Sequence, residues 1–297
     1  MTGRWTGLLT TLARMAWLTW RGLTSRRPVV GDADAVVSLT SYGKRIGWVH
    51  LTIESVAAGA ERPARLVLWL DDERALRRPP WALRRLVRRG LEIRETPDWG
   101  PHKKYFPAVL EEIDRPLVTC DDDVLYPRQW LGMLMRAHES SPDAVVAHRV
   151  NRIRVQVGAL LPYAAWGRAA DLRETPRNFA TGVKGILYPL SFQAVLRRAG
   201  TGFMADCRHT DDIWLHHLAL RAQVRVLPVL GLPMSAVAPV RGIRSESALA
   251  DANVGGGRND RVIEAVYAPD ELRAIIEDDW SVLDGADRLE RPGARRG

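Results

Sequence analysis

The stretch Leu117-Val118-Thr119-Cys120-Asp121-Asp122-Asp123-Val124-Leu125-Tyr126-Pro127 runs from an apolar, β-branched tetrapeptide into three carboxylates and a closing proline. It reads as a buried strand that ends in charge. Asp121 and Asp123 are two residues apart, so their side chains leave the same face while the chain stays extended. Two such carboxylates can share one hard ion, Mg²⁺ or Mn²⁺, with positions left for water and substrate phosphates. A plain turn is the competing reading, because Asp favours turns and helix caps and the pattern from Trp130 onward is a helix that needs an N-terminus. A cap needs only one acid, however, and three adjacent acids repel one another.

Outward from this stretch, strands and helices alternate. Ala35–Leu39 is a short apolar strand ending in Thr40-Ser41-Tyr42-Gly43, 49–58 reads as a helix, and 66–70 is a second strand ending in Asp71-Asp72. A basic helix over 80–89 leads through Gly90 to a strand at 91–94, and 103–113 has helical character. Strand, helix, strand predicts an α/β fold with a mostly parallel central sheet flanked by helices. Ligands of such sheets bind outside the carboxyl ends of the strands, where Thr40, Asp71 and Asp121 to Asp123 are collected. There is no Gly-x-Gly-x-x-Gly after the first strand and no Walker-type loop, so neither a dinucleotide dehydrogenase nor a P-loop phosphotransferase is supported. Phosphate would instead be held by a metal at Asp121 and Asp123, with help from Lys103 and Lys104.

Of the 297 residues 46% are hydrophobic and 26% charged, an ordinary globular composition for one large domain or two small ones. The two cysteines, Cys120 and Cys207, are far apart and in no metal-ligand spacing, which points to a reducing compartment. A net charge of +8 favours an anionic partner. The arginine pairs at 84–85 and 88–89 recur at helical spacing and read as a solvated basic face, without the aromatic interleaving that single-stranded nucleic acid binders use. No nucleic acid partner is expected. Residues 1–28 mix tryptophans and leucines with Arg4, Arg14 and Arg21, too broken for a membrane span and without the clean apolar centre of a signal peptide. An amphipathic helix is predicted there, resting either on a membrane surface or on the protein's own body.

The second half holds another acidic pair. Asp211-Asp212 opens the apolar helix 213–220; one acid is expected as its cap, and the other is free to act as a general base. His209, His216 and His217 lack the spacing of a metal site. Thr181-Gly182-Val183-Lys184-Gly185, between the two acid clusters, permits close backbone approach to a ligand or forms a simple turn before a strand.

Taken in order, Ser38-Leu-Thr-Ser-Tyr-Gly-Lys-Arg45, Leu68-Trp-Leu-Asp71, Gly90-Leu-Glu-Ile93, Pro101-His-Lys-Lys-Tyr105, Thr119-Cys-Asp-Asp-Asp-Val124, Thr181-Gly-Val-Lys-Gly185 and Asp211-Asp-Ile-Trp-Leu215 resemble bacterial nucleotide-sugar glycosyltransferases of the A-type fold, such as those of polysaccharide gene clusters. The resemblance spans roughly residues 35–220. It implies a single Rossmann-like catalytic domain over 32–245, preceded by the helix of 1–28 and followed by a helical extension and tail over 246–297. It also implies metal-dependent, inverting transfer of a sugar from a nucleoside-diphosphate donor to a hydroxyl of a glycan, polysaccharide or glycolipid. On these matches Asp121 and Asp123 bind Mn²⁺ or Mg²⁺ and, with Asp122, the donor diphosphate. Thr40, the adjoining Ser41 and Asp71 lie near the nucleoside, Lys103 or Lys104 near phosphate, and the loop from Gly182 to Gly185 near donor and acceptor. Asp211 or Asp212 stands where inverting members place the catalytic base. Some relatives draw a further metal ligand from a C-terminal histidine; no histidine follows His217 here, and Asn259 and Asp260 are the substitutes. The implied location is cytoplasmic, peripheral on the inner face of the plasma membrane.

Two rival classes remain at this level. An aspartate-nucleophile phosphohydrolase also uses Asp-x-Asp after an apolar strand, but Leu125 stands where that pattern wants Thr or Val, and three candidate strands precede the acids. A non-catalytic membrane-associated binding protein would account for the tryptophan-rich start. Helices are predicted over 260–268 and 269–283, packed on the sheet, with a frayed tail beyond Asp284.

Overall fold

The computed structural model describes residues 2–232, 238–240 and 257–284, with side chains from residue 9. The expected tail after Asp284 and most of the glycine-rich 251–257 loop lie outside the described residues. The strands are β1 (Ala33–Thr40), β2 (Pro63–Leu70), β3 (Leu91–Glu95), β4 (Leu117–Thr119), β5 (Val124–Leu125), β6 (Val145–Ala147), β7 (Val150–Arg152), β8 (Val155–Gln156), β9 (Ala159–Leu160), β10 (Gly167–Arg168), β11 (Asn178–Ala180), β12 (Ile186–Tyr188), β13 (Val226–Pro228) and β14 (Ala238–Pro239). The helices are α1 (Thr2–Thr24), α2 (Val49–Ala57), α3 (Glu73–Arg77), α4 (Trp81–Val87), α5 (Phe106–Leu110), α6 (Trp130–Ser140), α7 (Leu190–Ala199), α8 (Phe203–Asp206) and α9 (Asp211–Arg221), followed by Arg258–Val266 and Pro269–Glu277.

Among the described residues seven strands form the main sheet, in the order β13-β6-β12-β4-β1-β2-β3. The strands β4, β1, β2 and β3 run parallel, as the strand and helix alternation predicts. Successive residues of β1 and β2 serve opposite layers. Val36, Val67 and Trp69 join the core containing Phe106, Tyr188 and Ile213, while Val37, Leu39, Leu66 and Leu68 join the one containing Ile53, Leu83 and Leu134. Burial on both faces explains why these strands are almost uninterrupted apolar runs. Ile263, Tyr267, Ala274 and Ile275 belong to the first of these cores, so the last two helices pack on the body of the protein.

One strand runs against the rest. β12 is antiparallel to both of its neighbours, pairing Ile186 with Thr119 of β4 and with Ala147 of β6. Its N-terminal end therefore lies beside the carboxyl end of β4. The loop 181–185 is carried to the aspartate run by this reversal, which leaves no mark in the apolar triplet Ile-Leu-Tyr.

Helix α1 packs on α2 and α4. Two arginines expected on a solvated face are used here: Arg85 donates to the carbonyls of Gly22 (2.8 Å) and Leu23 (2.7 Å), and Arg89 to that of Arg27 (2.7 Å). These are carbonyls that a helix end and its following turn leave without partners. The buried Glu54 of α2 binds both Arg89 and, at 3.5 Å, Arg21 of α1. Replacing it by Ala strands two guanidiniums in a place with little water, and breaking a buried pair in this way costs about 3–5 kcal/mol. Glu54→Ala is thus expected to lower the denaturant midpoint by that equivalent; a change below about 1 kcal/mol would show that water reaches the arginines.

Candidate active site

The regular pairing of β4 stops at Thr119, although the Cys120 N–H still donates to the Ser38 carbonyl at 3.1 Å. The three acids then turn away one by one. Thr52 of α2 places its hydroxyl 2.9 Å from the Asp122 carbonyl and 2.8 Å from that of Val124, and the Asp121 N–H donates to the Tyr126 hydroxyl at 2.9 Å. A fixed backbone aims the carboxylates. Asp122 points inward, with 6% of its side chain exposed; it accepts from Ser41 at 2.5 Å and from Arg45 at 2.8 Å. Asp121 and Asp123 each keep 25% exposed, so these two flanking acids are the ones open to a ligand. Arg45 bridges the inward and outward acids, its second nitrogen 3.1 Å from Asp123.

The opposite wall comes from the turn Gly100–Lys104 and the start of α9. The buried His102 imidazole ties them together. Its Nε2 donates to the Cys207 carbonyl at 2.8 Å and its Nδ1 accepts from the Tyr105 hydroxyl at 2.8 Å, while the ring stacks on Phe203. Burial pushes its pKa down to about 4, which suits a neutral ring in this role. Lys103 and Lys104 consequently diverge. Lys103 reaches Asp71 at 2.5 Å, whereas Lys104 enters the acid cluster, 2.7 Å from Asp211 and 3.7 Å from Asp121. Burial works against the ammonium, yet Asp211, Asp121 and Asp212 together hold its pKa well above the usual lysine value.

Neither Asp211 nor Asp212 is the helix cap. Thr210 occupies that position and both acids lie in the first turn of α9, which frees both for the site. Their environments separate them. Asp211 is buried, and Lys104 holds its carboxyl below the ordinary range against the effect of burial. Asp212 accepts from the Gly182 N–H at 2.9 Å and is raised to about 7 by burial and by the neighbouring Asp211 charge. Two titratable groups driven apart by their surroundings are a frequent basis of acid and base chemistry. The glycines of the loop are required here: a side chain at Gly182 would run into the Lys104 ammonium, and one at Gly185, where φ is +101°, would come within 2.6 Å of the Trp130 ring.

The sequence-predicted residues thus divide. Asp121, Asp123, Lys104, Asp211, Asp212 and Gly182 come together. Ser41 and Asp122 form the buried support beneath them, Thr40 donates to the Trp69 carbonyl at 2.9 Å, and Asp71 with Lys103 stands at the end of β2. Asp260 accepts from the Tyr163 N–H at 2.7 Å. Arg45 and Tyr126 were not predicted as site residues; Arg45 lies within the quoted Ser38–Arg45 segment, but its ion pairs depend on strand order. Among the described residues no group of three or more His, Cys, Asp or Glu side chains could hold a metal by itself. The donor set nonetheless fits a hard divalent cation. It is all oxygen, and Asp121 is raised by burial and, after the opposing effect of Lys104, by Asp123 and Asp211, so negative charge is in excess.

No protein family model matches the sequence, and no curated protein sequence does. Among solved structures, a mannosyltransferase from Pyrobaculum calidifontis in complex with GDP-Man and Mn²⁺ superposes with a TM-score of 0.51 at 15% identity, over 93% of this chain and 79% of its own. The chain shares its fold with that mannosyltransferase. S. aureus TarS residues 1–349, in complex with UDP, matches with a TM-score of 0.43 at 13% identity, over 65% of this chain and 57% of its own. At such identities the likeness concerns the backbone architecture, a mixed sheet with helices on both faces.

Proposed function

We propose that this glycosyltransferase fold moves a sugar from a nucleoside-diphosphate donor to a hydroxyl of a glycan or glycolipid, with inversion at the anomeric carbon. The observation that carries the reading is the pairing of two outward carboxylates, Asp121 and Asp123, with a separate carboxyl, Asp212, raised to about 7 across Lys104. The Mn²⁺ bound by the similar mannosyltransferase agrees with it. Asp121 and Asp123 would hold Mn²⁺ or Mg²⁺, which when bound neutralises charge on the departing diphosphate. Asp212 takes the proton from the acceptor hydroxyl as that oxygen attacks, and the Gly182 N–H fixes the carboxylate for this task. Lys104 keeps Asp211 ionised, and Arg45 steadies Asp123.

A thermal-shift panel of nucleotide sugars with and without Mn²⁺ tests this directly. Ligand at 100 times its dissociation constant stabilises by about 2.7 kcal/mol. The wild type is expected to show that scale of shift only with metal and nucleotide together, and Asp123→Ala to lose it while remaining folded. Phosphate release from a generic ester with no nucleotide effect would favour the phosphohydrolase, and wild-type protein that neither binds nor turns over any nucleotide sugar would favour a binding protein.

Membrane-surface contact through residues 1–28 belongs to the same proposal. Among the described residues no helix is long and apolar enough to cross a membrane. Leu18 of α1 is fully buried against the body, while Leu9, Leu12, Trp17, Trp20 and Leu23 are 45–65% exposed on the other side. An apolar stripe with tryptophans turned outward suits an interfacial helix. Trp17→Glu with Trp20→Glu should abolish sedimentation with vesicles containing anionic lipid; retention of binding by this double variant would remove the helix as the anchor.

A further inference from the structure

Beyond the Gly182 turn, on the Asp212 side of the site, three cations come together. Arg149 directly precedes β7, and its carbonyl accepts from the Thr181 N–H at 3.0 Å, so its backbone adjoins the loop that fixes Asp212. Arg168 lies on β10, opposite Asn151 of β7, and its guanidinium reaches the His148 carbonyl at 3.4 Å. Lys184 sits between Gly182 and Gly185, where its carbonyl accepts from the Trp130 indole at 2.5 Å and its φ is +88°. A non-glycine residue held in this region is uncommon and over-determined by its surroundings. Among the described residues neither Arg149 nor Arg168 pairs with a carboxylate, and the buried Nε of Arg149 has no hydrogen-bond partner.

We propose that Arg149, Arg168 and Lys184 form a subsite for a phosphate group carried by the acceptor. This rests on the transferase reading, in which Asp212 must face the acceptor hydroxyl. The location favours the acceptor over the donor: Asp121 and Asp123 have their own cations, Arg45 and Lys104, whereas this cluster lies past Asp212. Thr181 and Gly182 link the two, since the N–H of the first donates to the Arg149 carbonyl at 3.0 Å and that of the second to Asp212 at 2.9 Å. Burial and the charges of Arg168 and Arg149 lower Lys184 to about 8, so a bound dianion would relieve repulsion among the three. Planar guanidiniums suit bidentate phosphate recognition, and an unpaired buried nitrogen is the kind of donor that a ligand oxygen satisfies.

The test uses the full chain, with glycerol 1-phosphate as the soluble probe and phosphatidylcholine vesicles with or without phosphatidylglycerol as the lipid probe. Arg149→Gln combined with Arg168→Gln should weaken glycerol 1-phosphate binding by about tenfold or more, as expected for losing charge-assisted hydrogen bonds, while nucleoside diphosphate binding with Mn²⁺ is unchanged. Arg149→Lys with Arg168→Lys should restore part of the affinity, which covers a double variant that fails to fold. Preference for the soluble probe or for anionic vesicles identifies the source of the phosphate. Equal phosphate binding by wild type and the Gln variant, or no binding by wild type, overturns the subsite; parallel loss of nucleotide binding reassigns it to the donor. Loss of nucleotide binding in Asp123→Ala reads the donor site alone, so the two proposals fail separately.

Discussion

Asp212→Asn is expected to lower kcat by about 10²–10⁴-fold, the range that a positioned general base supplies. The substitution keeps an oxygen for the Gly182 N–H, so the loop and nucleotide binding should survive. The same residue sets the pH dependence. Its carboxyl is raised to about 7 by burial and by Asp211, and only the deprotonated form can take a proton, so kcat/KM should rise with pH through about 7. Activity of the variant within a few fold of wild type, or a flat profile between pH 6 and about 8, would transfer the base role elsewhere.

The second large effect is one of stability. Lys104→Met is expected to cost about 3–5 kcal/mol at neutral pH, because the side chain is similar in volume but Asp211 and Asp121 lose their shared cation. The sign of its pH dependence follows from Asp211. Although burial pushes that carboxyl up, Lys104 holds it below its ordinary value, so its favourable contribution is complete above the unfolded carboxylate value and fades as pH falls through the folded one. The variant has no such contribution to lose. The gap in denaturation free energy between wild type and variant should therefore close on acidification, and a gap that persists unchanged would mean that Lys104 acts through packing and not through charge.

The parallel half of the sheet was legible because strands buried on both faces are written as apolar runs that end in polar residues, as Leu66–Leu70 and Leu117–Thr119 show. The aspartates were legible for the same reason: Asp121 and Asp123 follow a strand end directly. What was hidden depends on elements meeting across sequence. Nothing in Ile186-Leu-Tyr188 gives its direction, so the meeting of Gly182, Lys104 and Asp212 could be suspected only through resemblance. Asp122 looks identical to its neighbours in the sequence, and its inward turn is decided by Ser41 and Arg45, some eighty residues earlier. The sequence reads one of the acids at 211 and 212 as the cap of their helix, but Thr210 holds that position. Arg149 and Arg168 look like ordinary surface charges until β7 and β10 pair.

Helix α1 also has a bearing on how the protein can be handled. Arg14 reaches the carbonyls of Leu125 and Tyr126, immediately behind the acids, and the hydroxyl of that same tyrosine receives the Asp121 N–H. Leu18 fills a small cluster with Leu51, Leu125 and Val240. Trimming the first two dozen residues to improve solubility would therefore do more than remove an appendage. It would unpin the floor of the candidate site, and poor turnover by such a shortened protein would say little about the chemistry of the intact one.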